Sequence, residues 1–281
     1  MFLYMEDKIK FDRMEQSETI ETNIRQTEFY QNKKKNFATK IWFSLRNGIL
    51  QKVRKSIGVE KQIHQLHLEW CGDLSNKKVL DLGCYAGNSL SMHLALNSKE
   101  YIAIDLSEKG ISHLRNRLKN IEHANAFAID FLSEEFTEKD FDLIYAYGVL
   151  HHFKDVEMLI GRLKEKLNMN GTIISNDPLQ TSLPIKLIRT IYRPFQSDKD
   201  WEWPFSKKVY YQFESAFKIK ERRAMLGKAK WFFIVNFLPL SAEKKLAIGK
   251  KWHREDWEKS RDSDSYMFRC MHLTMLMQKR D

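Results

Sequence analysis

The feature that most constrains the fold is a regular alternation of short apolar segments with amphipathic segments between residues 75 and 177. The apolar segments have the length of strands, and the amphipathic segments have the length and periodicity of helices. The predicted strands are 78–82, 101–104, 124–129, 141–145 and 172–175, and the predicted helices are 88–96, 108–118 and 156–167. This alternation predicts a parallel sheet with helices on both faces, which binds ligands at the carboxyl ends of its strands.

A sharp turn follows the first predicted strand, in the sequence VLDLGCYAGN. Gly83 and Gly87 permit positive φ angles there and let a ligand approach the backbone closely. Asp105 directly follows the second predicted strand, at a position that suits a hydrogen bond to a ribose diol. A nicotinamide dinucleotide site would need the pattern G-x-G-x-x-G, but the chain has Tyr85 and Asn88 at the second and third glycine positions. The turn therefore disfavours a dehydrogenase.

This turn resembles motif I of the class I S-adenosylmethionine-dependent methyltransferases, which commonly reads Asp-x-Gly-x-Gly-x-Gly. Asp81, Gly83 and Gly87 match the motif, and Tyr85 replaces its middle glycine. Two interpretations of Tyr85 stay open. Its side chain narrows the cofactor pocket, or it points away while its backbone keeps the turn.

The resemblance continues through the next strands and is closest to the small-molecule type of this superfamily. It implies that Asp105 binds the ribose, that Asp130 contacts the adenine amino group and that Phe131 packs on the adenine ring. The sequence YGVLHHF, which starts at Tyr147, resembles the segment that lines the cofactor and the methyl-transfer site. The resemblance thus implies S-adenosylmethionine as the cofactor. The predicted cofactor-binding residues are Asp81, Gly83, Cys84, Tyr85, Gly87, Asp105, Leu106, Asp130, Phe131, Tyr147 and His151.

Several of these residues also have a plainer explanation. Asp81, Asp105 and Asp130 could cap a turn or the first turn of a helix, where aspartate is favoured. His151 and His152 could be metal ligands or a base, but no acidic or cysteine partner has a metal-like spacing. We therefore expect no metal, and we expect one of the two histidines to contact cofactor or substrate.

Methyl transfer requires mainly that the protein orients and desolvates the reactants, because the cofactor carries the driving force. The ring of Tyr30, Tyr85 or Tyr147 could stabilise the sulfonium cation. A general base is needed only where the acceptor must first lose a proton. The candidate catalytic residues are His152 and Asp177. Asp177 ends the fifth predicted strand and could instead cap the turn before the proline that follows it.

The net charge of +10 comes from the C-terminal part of the chain. Residues 1–177 contain 25 Lys and Arg against 25 Asp and Glu, whereas residues 178–281 contain 22 against 12. Such an excess attracts phosphates, anionic lipids or acidic substrates, or it is a solvated lysine-rich surface. Segments 185–193 and 228–233 join basic residues to apolar and aromatic ones, which suits an anionic membrane interface or RNA.

These observations predict a methyltransferase that acts on a small-molecule, sugar or lipid-linked acceptor, with peripheral contact to an anionic membrane as an option. The alternatives are an RNA methyltransferase that uses the basic C-terminal third, and a non-catalytic, regulatory protein that binds the cofactor. RNA is the less favoured partner, because no RNA-binding module is recognisable. Three cysteines without a CxxC pair and the lack of a secretion signal favour a cytoplasmic location. The oligomeric state stays open.

The predicted fold class is α/β, a Rossmann-like class I methyltransferase fold with a mostly parallel seven-stranded sheet and helices on both faces. Further strands are predicted at 217–225 and 267–278. A helix is predicted before the core, where Phe37, Ile41, Leu45 and Ile49 recur at a spacing of four. The predicted domains are an N-terminal helical cap at 1–70, the cofactor-binding core at 71–177, a basic and aromatic-rich substrate cap or insertion with part of the sheet at 178–265, and a terminal strand at 266–281 that completes the sheet.

Overall fold

The computed structural model describes residues 51–192 and 201–280, together with the single positions 48 and 194. The predicted helix around Phe37, Ile41, Leu45 and Ile49 lies outside the described residues, and so does Tyr30. The predicted division into four domains stays a prediction.

The described residues alternate between helices and strands through most of the chain. The strands are β1 (Lys78–Leu82), β2 (Glu100–Asp105), β3 (Ala124–Ala128), β4 (Phe141–Tyr147), β5 (Leu167–Pro178), β6 (Phe217–Met225) and β7 (His272–Lys279). The helices are α1 (Gln51–Ser56), α2 (Val59–Cys71), α3 (Ser89–Asn97), α4 (Glu108–Leu118), α5 (Val156–Lys166), α6 (Leu183–Tyr192), α7 (Lys207–Ala216), α8 (Phe232–Val235), α9 (Ala242–Asp262) and α10 (Asp264–Met267). Short 3₁₀ turns occupy Leu150–His152 and Ala229–Trp231.

The strands form one sheet in the order β3-β2-β1-β4-β5-β7-β6. Strands β1 to β5 are parallel to one another, and β7 is antiparallel to both β5 and β6. The fold class predicted from the sequence is therefore confirmed. Because β7 runs in the opposite direction, it begins at the edge of the sheet where β1 to β5 end. We call this edge the carboxyl edge.

Both faces of the sheet are buried, because neighbouring residues of each strand point to opposite sides. Leu80 and Ile144 belong to one hydrophobic cluster, and their chain neighbours Val79 and Leu143 belong to the other. Burying a leucine or isoleucine side chain contributes about 1.5–3 kcal/mol. The near-continuous apolar strands of the sequence are therefore explained by helix layers on both faces.

Side-chain caps fix where the core helices begin. The Asn88 side chain accepts hydrogen bonds from the backbone N–H groups of Leu90 and Ser91, so α3 starts directly after the turn that follows β1. Ser107 caps α4 and Asp155 caps α5 in the same way. Asn88, predicted as the first helical residue, is therefore the cap of α3.

The C-terminal strands agree with the sequence in one case and differ in the other. Strand β6 has the predicted bounds, 217–225. The strand predicted at 267–278 was placed too early, because Met267 ends α10 and β7 begins only at His272. Met267, Phe268 and Cys270 are buried in the core although they are not in a strand. An apolar run alone cannot separate a buried turn from a buried strand.

A third hydrophobic cluster joins the start of the described chain to its C-terminal part. Val53 of α1 and Ile57, which directly follows α1, pack with Leu226 and with Phe232 of α8. The ring of His253 in α9 lies 2.8 Å from the Gln62 side-chain oxygen of α2. Segments far apart in the sequence thus pack together. None of the described helices is both long enough and apolar enough to cross a membrane.

Candidate active site

The turn after β1 depends on glycine geometry. Gly83 has a φ of 70° and Gly87 a φ of 71°, in the left-handed region that favours glycine. A Cβ on Gly83 would lie 2.3 Å from Cγ2 of Val149, so no larger residue fits there without a shift. The Gly83 amide donates to the carbonyl of Ile104 at 2.8 Å, which holds the turn against β2. The predicted turn is therefore present at the carboxyl edge.

Tyr85 keeps the turn with its backbone. Its φ of 48° lies in the left-handed region. The glycine that the common motif has at this position would adopt such a φ without strain, whereas a tyrosine is strained there. Its ring rests against Gly110 at the start of α4, where an added Cβ would be 2.6 Å from Cδ2 of Tyr85. The side chain is 57% exposed. The ring thus packs on the start of α4, and both interpretations of Tyr85 with respect to the cofactor stay predictions.

The outer side of the turn is held by a residue that the sequence did not suggest. Nη1 of Arg117, in α4, donates to the carbonyl oxygens of Ala86 and Gly87, both at 2.7 Å. Two carbonyls of the turn are therefore satisfied by one guanidinium. No local pattern connects Arg117 to the turn, because the two are separated by about thirty residues of chain.

Asp105 lies beside the turn at the end of β2. Its Oδ2 accepts from the Tyr85 amide at 3.0 Å, and its Oδ1 accepts from the Ser107 amide at 2.8 Å. Burial raises the pKa of Asp105, and these two amides oppose the rise. A carboxylate offers about four lone-pair sites, so Asp105 retains acceptor capacity for a ribose diol while it fixes the turn. Leu106 follows it and is half-buried. The ribose contact itself stays a prediction.

Asp81 lies inside the fold. It is 2% exposed, and its Oδ2 accepts a hydrogen bond from the Tyr101 hydroxyl at 2.8 Å. Burial raises the pKa of Asp81 to about 6. The next residue but two, Cys84, is half-buried, and burial together with the nearby Asp81 and Asp105 raises the pKa of its thiol. These residues support the turn from inside, and their direct contact with a cofactor stays a prediction.

The residues predicted to bind adenine lie after β3. Oδ1 of Asp130 accepts from the Leu132 amide at 3.0 Å, as an aspartate that caps a turn does. Phe131 is 2% exposed, and its ring packs between Phe136 and Phe153, with centroids 6.0 Å and 6.2 Å away. The structure therefore places the Phe131 ring in the hydrophobic core. Its predicted packing on adenine stays untested.

The two histidines sit in the 3₁₀ turn after β4. His151 is 8% exposed, and its Nδ1 lies 2.8 Å from Oδ1 of Asp177. The His151 amide donates to the same carboxylate oxygen at 3.2 Å. The rings of His151 and His152 are adjacent, with centroids 4.1 Å apart. Among the described residues, no three His, Cys, Asp or Glu side chains are grouped as a metal ion would require.

His152 is hydrogen-bonded to the backbone of Trp201. Its Nδ1 lies 2.7 Å from the carbonyl oxygen of Trp201, which can only accept, so Nδ1 carries the proton and Nε2 the lone pair. Burial, followed by the neighbouring His151, lowers the pKa of His152 to about 4. Protonation of His152 would lower the pKa of both Asp105 and Asp177, so its ring lies within electrostatic range of the two carboxylates.

Asp177 is a fully buried carboxyl group at the carboxyl edge, and its pKa is strongly raised. It is 1% exposed, and burial raises its pKa to about 7. One oxygen holds His151, whereas Oδ2 is buried without a hydrogen-bond partner in the part of the chain that the structure describes. Oδ1 of the neighbouring Asn176 is in the same situation. A group with a pKa near 7 suits proton transfer at neutral pH better than a histidine with a pKa near 4.

A cation and a phenol also lie at this edge, and the sequence suggested only the phenol. Nη2 of Arg54 donates to Nε2 of His272, at 2.6 Å, where β7 begins. The surrounding protein raises the pKa of Tyr147, which is 40% exposed, and the charge of Arg54 opposes that rise. Arg54 comes from α1 and His272 from β7, so only the folded chain brings them to the end of β4.

Comparison with known proteins identifies the family. The family described as "Methyltransferase domain" matches residues 57–227 of the 281-residue chain. The chain belongs to this family. The resemblance inferred from motif I is therefore confirmed, and S-adenosylmethionine is the cofactor that this membership implies.

Curated relatives of this methyltransferase match parts of it. A tRNA U34 carboxymethyltransferase from Nautilia profundicola is 30% identical over 105 residues, covering 36% of this chain and 34% of that protein. A carboxy-S-adenosyl-L-methionine synthase from Helicobacter pylori is 27% identical over 187 residues, covering 59% of this chain and 75% of that protein. An uncharacterised protein from Haemophilus influenzae is 31% identical over 107 residues, covering 36% and 42%. The chain thus spans less than half the length of two of these three relatives.

A solved structure shares the fold of the methyltransferase. The geranyl diphosphate C-methyltransferase of Streptomyces coelicolor A3(2), in complex with Mg²⁺, geranyl diphosphate and S-adenosyl-L-homocysteine, is similar with a TM-score of 0.53. The identity is 11%, over 79% of this chain and 81% of that one. At this identity the likeness shows the fold alone.

Proposed function

We propose that this methyltransferase moves a methyl group from S-adenosylmethionine to a proton-bearing oxygen or nitrogen of a small-molecule, sugar or lipid-linked acceptor. The observation that carries the proposal is the Asp177 carboxyl group. It is buried at the carboxyl edge, its pKa is raised to about 7, and its Oδ2 is without a partner among the described residues. A buried polar atom without a partner is costly, so a ligand O–H or N–H group that binds it would be favoured.

The residues of the chain would divide the work. S-adenosylmethionine, when bound, supplies an electrophilic methyl group on a positively charged sulfur. The turn at Gly83–Gly87 and Asp105 would hold the adenosine part, since the turn directly follows β1 and Asp105 keeps acceptor capacity beside it. Asp177 would accept the hydrogen bond of the acceptor atom and take its proton. His151, bonded to Oδ1, would keep the carboxylate oriented.

Tyr147 would contribute to the environment of the sulfonium. It lies at the end of β4 and is partly exposed at the carboxyl edge. The face of an aromatic ring attracts a cation. The Tyr147 ring would thus stabilise the bound sulfonium cation without a carboxylate at that point. When methyl transfer removes the positive charge, the product of the cofactor would have a lower affinity for the ring.

Cofactor binding and turnover test this proposal separately. Calorimetry with S-adenosylmethionine and S-adenosylhomocysteine measures binding, and a labelled methyl donor offered with lipid, metabolite and RNA extracts measures transfer. Binding of both compounds together with label transfer to a lipid or metabolite supports the proposal. Binding without transfer to any extract would make the chain a cofactor-binding regulatory protein, and absence of binding would contradict the cofactor site.

RNA is a second candidate acceptor, and two observations favour it. Two of the curated relatives that match part of this chain, from Nautilia profundicola and Ruthia magnifica, carry the name tRNA U34 carboxymethyltransferase. The excess of basic over acidic residues also lies in the C-terminal third. RNA binding through phosphates should weaken steeply as salt is added. Label transfer to RNA that falls in this way would support RNA over a small acceptor.

Arg54 favours an anionic group on the acceptor or on the donor. Its guanidinium lies at the carboxyl edge beside His272 and near Tyr147. A guanidinium suits recognition of a carboxylate. Arg54→Gln should therefore weaken binding of a carboxylated S-adenosylmethionine more than binding of S-adenosylmethionine itself, as measured by calorimetry. Equal losses for the two donors would exclude a donor carboxylate as its ligand.

A further inference from the structure

An apolar surface is formed by two segments that follow the proposed acceptor site in the sequence. Eight large apolar side chains are exposed within two short segments, α6 and the residues around α8. Phe237 is 84% exposed and Leu183 is 80% exposed. We call this set the apolar surface; its members are Leu183, Leu187, Ile191, Trp231, Ile234, Phe237, Leu238 and Leu240. Single exposed apolar residues are normal, whereas such a concentration in neighbouring segments indicates an interaction site.

The two segments begin side by side. Nζ of Lys230, just before α8, donates to the hydroxyl of Ser182 at 2.9 Å, and Ser182 directly precedes α6. Nζ of Lys230 also donates to the carbonyl of Arg269 at 2.8 Å. In α6 the exposed residues Leu183 and Leu187 recur at a spacing of four, so they lie on one face of the helix.

The charge around the apolar surface is positive. Segment 183–192 contains one lysine and one arginine and no acidic residue, and segment 226–252 contains six lysines against one glutamate. The side chains of Lys186, Lys244, Lys250 and Lys251 are exposed. Apolar side chains surrounded by lysines match the interface of an anionic bilayer, where the apolar groups enter the lipid and the lysines meet the phosphates.

We propose that α6 and the segment 231–240 dock this methyltransferase on an anionic lipid surface. The mainly aliphatic character of the surface favours lipid over RNA, because six of its eight members are leucine or isoleucine, which offer hydrocarbon and no ring on which a base can stack. The two aromatic members, Trp231 and Phe237, also suit the interface of a bilayer. The docking does not depend on methyl transfer. Since α6 begins six positions after Asp177, the docked surface would bring a lipid-linked acceptor towards the carboxyl edge, and this last step rests on the proposed function.

Vesicle binding tests the proposal on the full chain. Vesicles of phosphatidylcholine alone are compared with vesicles of equal parts phosphatidylcholine and phosphatidylglycerol, by co-sedimentation at low and high salt. We expect binding to the anionic vesicles only. The variants Leu187→Ser and Phe237→Ser should each lower the partition coefficient about tenfold, because one large apolar side chain no longer enters the lipid. Both positions are exposed, so circular dichroism should show an unchanged fold.

A matched control separates the apolar surface from general stickiness. Leu96, in α3, is 61% exposed and Leu187 is 64% exposed. Leu96→Ser should leave vesicle binding unchanged, and an equal loss in that variant would overturn the proposal. So would equal binding to neutral and anionic vesicles, or no binding to either.

If Leu187→Ser instead converts a dimer to a monomer in sedimentation velocity, the surface is a subunit contact. Binding of an RNA oligonucleotide that Leu187→Ser weakens, without vesicle binding, would also overturn it. Calorimetry with S-adenosylmethionine gives an independent measure, so a failed cofactor site and a failed docking surface are distinguished.

Discussion

The proposed cofactor side and the proposed acceptor side of this methyltransferase are built in different ways. The cofactor side consists of turns that directly follow β1 and β2, held by backbone hydrogen bonds and by two glycines with positive φ. The acceptor side pairs Asp177 of β5 with His151, and Arg54 of α1 with His272 of β7. The first side is local in sequence and the second is assembled by the fold. Cofactor binding and acceptor chemistry should therefore respond separately to substitution.

The largest expected effect separates the two sides at Asp177. Asp177→Asn should lower the rate of methyl transfer by about a hundredfold or more, because the amide cannot take a proton. Cofactor affinity should stay within about twofold of the wild type, since the hydrogen bond to His151 is still possible. Steady-state kinetics and calorimetry measure the two quantities.

The pH dependence provides a second readout for Asp177. A base acts only when it is deprotonated, and the pKa of Asp177 is raised to about 7. The value of kcat/KM should therefore rise with pH through about 7 and then level off. A flat profile, or a variant as active as the wild type, would show that Asp177 is not the base.

Two glycines, one directly after β1 and one directly after β4, can be compared to test how tightly the turn after β1 is packed. Gly83→Ala should destabilise the fold by about 3 kcal/mol, because the strained φ combines with a methyl group placed 2.3 Å from Val149. Gly148→Ala is the control, since Gly148 has a φ of 72° but open space around it. It should lose only about 1 kcal/mol from strain. Urea denaturation measures both, and equal losses would mean that the contact with Val149 relaxes easily.

Asp105 tests whether the carboxylate beside the turn binds the cofactor. Asp105→Ala should weaken S-adenosylmethionine binding by about 1–3 kcal/mol, the cost of leaving hydrogen-bonding groups unpaired. Asp155→Ala removes the cap of α5, outside the predicted cofactor site, and is the control for a lost helix cap. Calorimetry should show unchanged affinity for that control. Unchanged affinity in Asp105→Ala as well would leave Asp105 as a structural cap.

The smallest effect is expected at Tyr85. Tyr85→Gly relieves a left-handed φ but loses the contact with Gly110, so the free energy of unfolding should change by less than about 1 kcal/mol. Cofactor affinity should be unchanged, because the ring packs against Gly110. A tenfold loss of affinity would instead favour the interpretation in which the ring lines the pocket.

The sequence predicted the fold well because the fold depends on local patterns. The apolar strands and the turn after β1 each lie within about ten residues, where periodicity and glycine spacing are readable. Asp105 and Asp177 could be named because they end strands that meet at one edge. The wrong start of β7 arose at Met267, where a buried turn has the composition of a strand.

The features of the candidate site that the sequence did not indicate depend on contacts between distant segments. Arg54 and His272 are separated by 218 positions, and their contact follows from the packing of α1 near the start of β7. Arg117 reaches the turn only because α4 packs beside it. Nor could the sequence indicate that Phe131 is enclosed by Phe136 and Phe153. Such features become visible only when the tertiary structure is known.

The contact between Tyr85 and Gly110 has a consequence for how this turn can evolve. A methyl group at Gly110 would collide with the aromatic ring, whereas a glycine at 85 would remove the ring and leave only the backbone carbon of residue 85, at 3.0 Å, as a tight contact. Replacements at the two sites are therefore not independent, and their order matters. A lineage that changes position 85 first removes the worst collision before position 110 acquires a side chain, and one that changes position 110 first meets that collision in full.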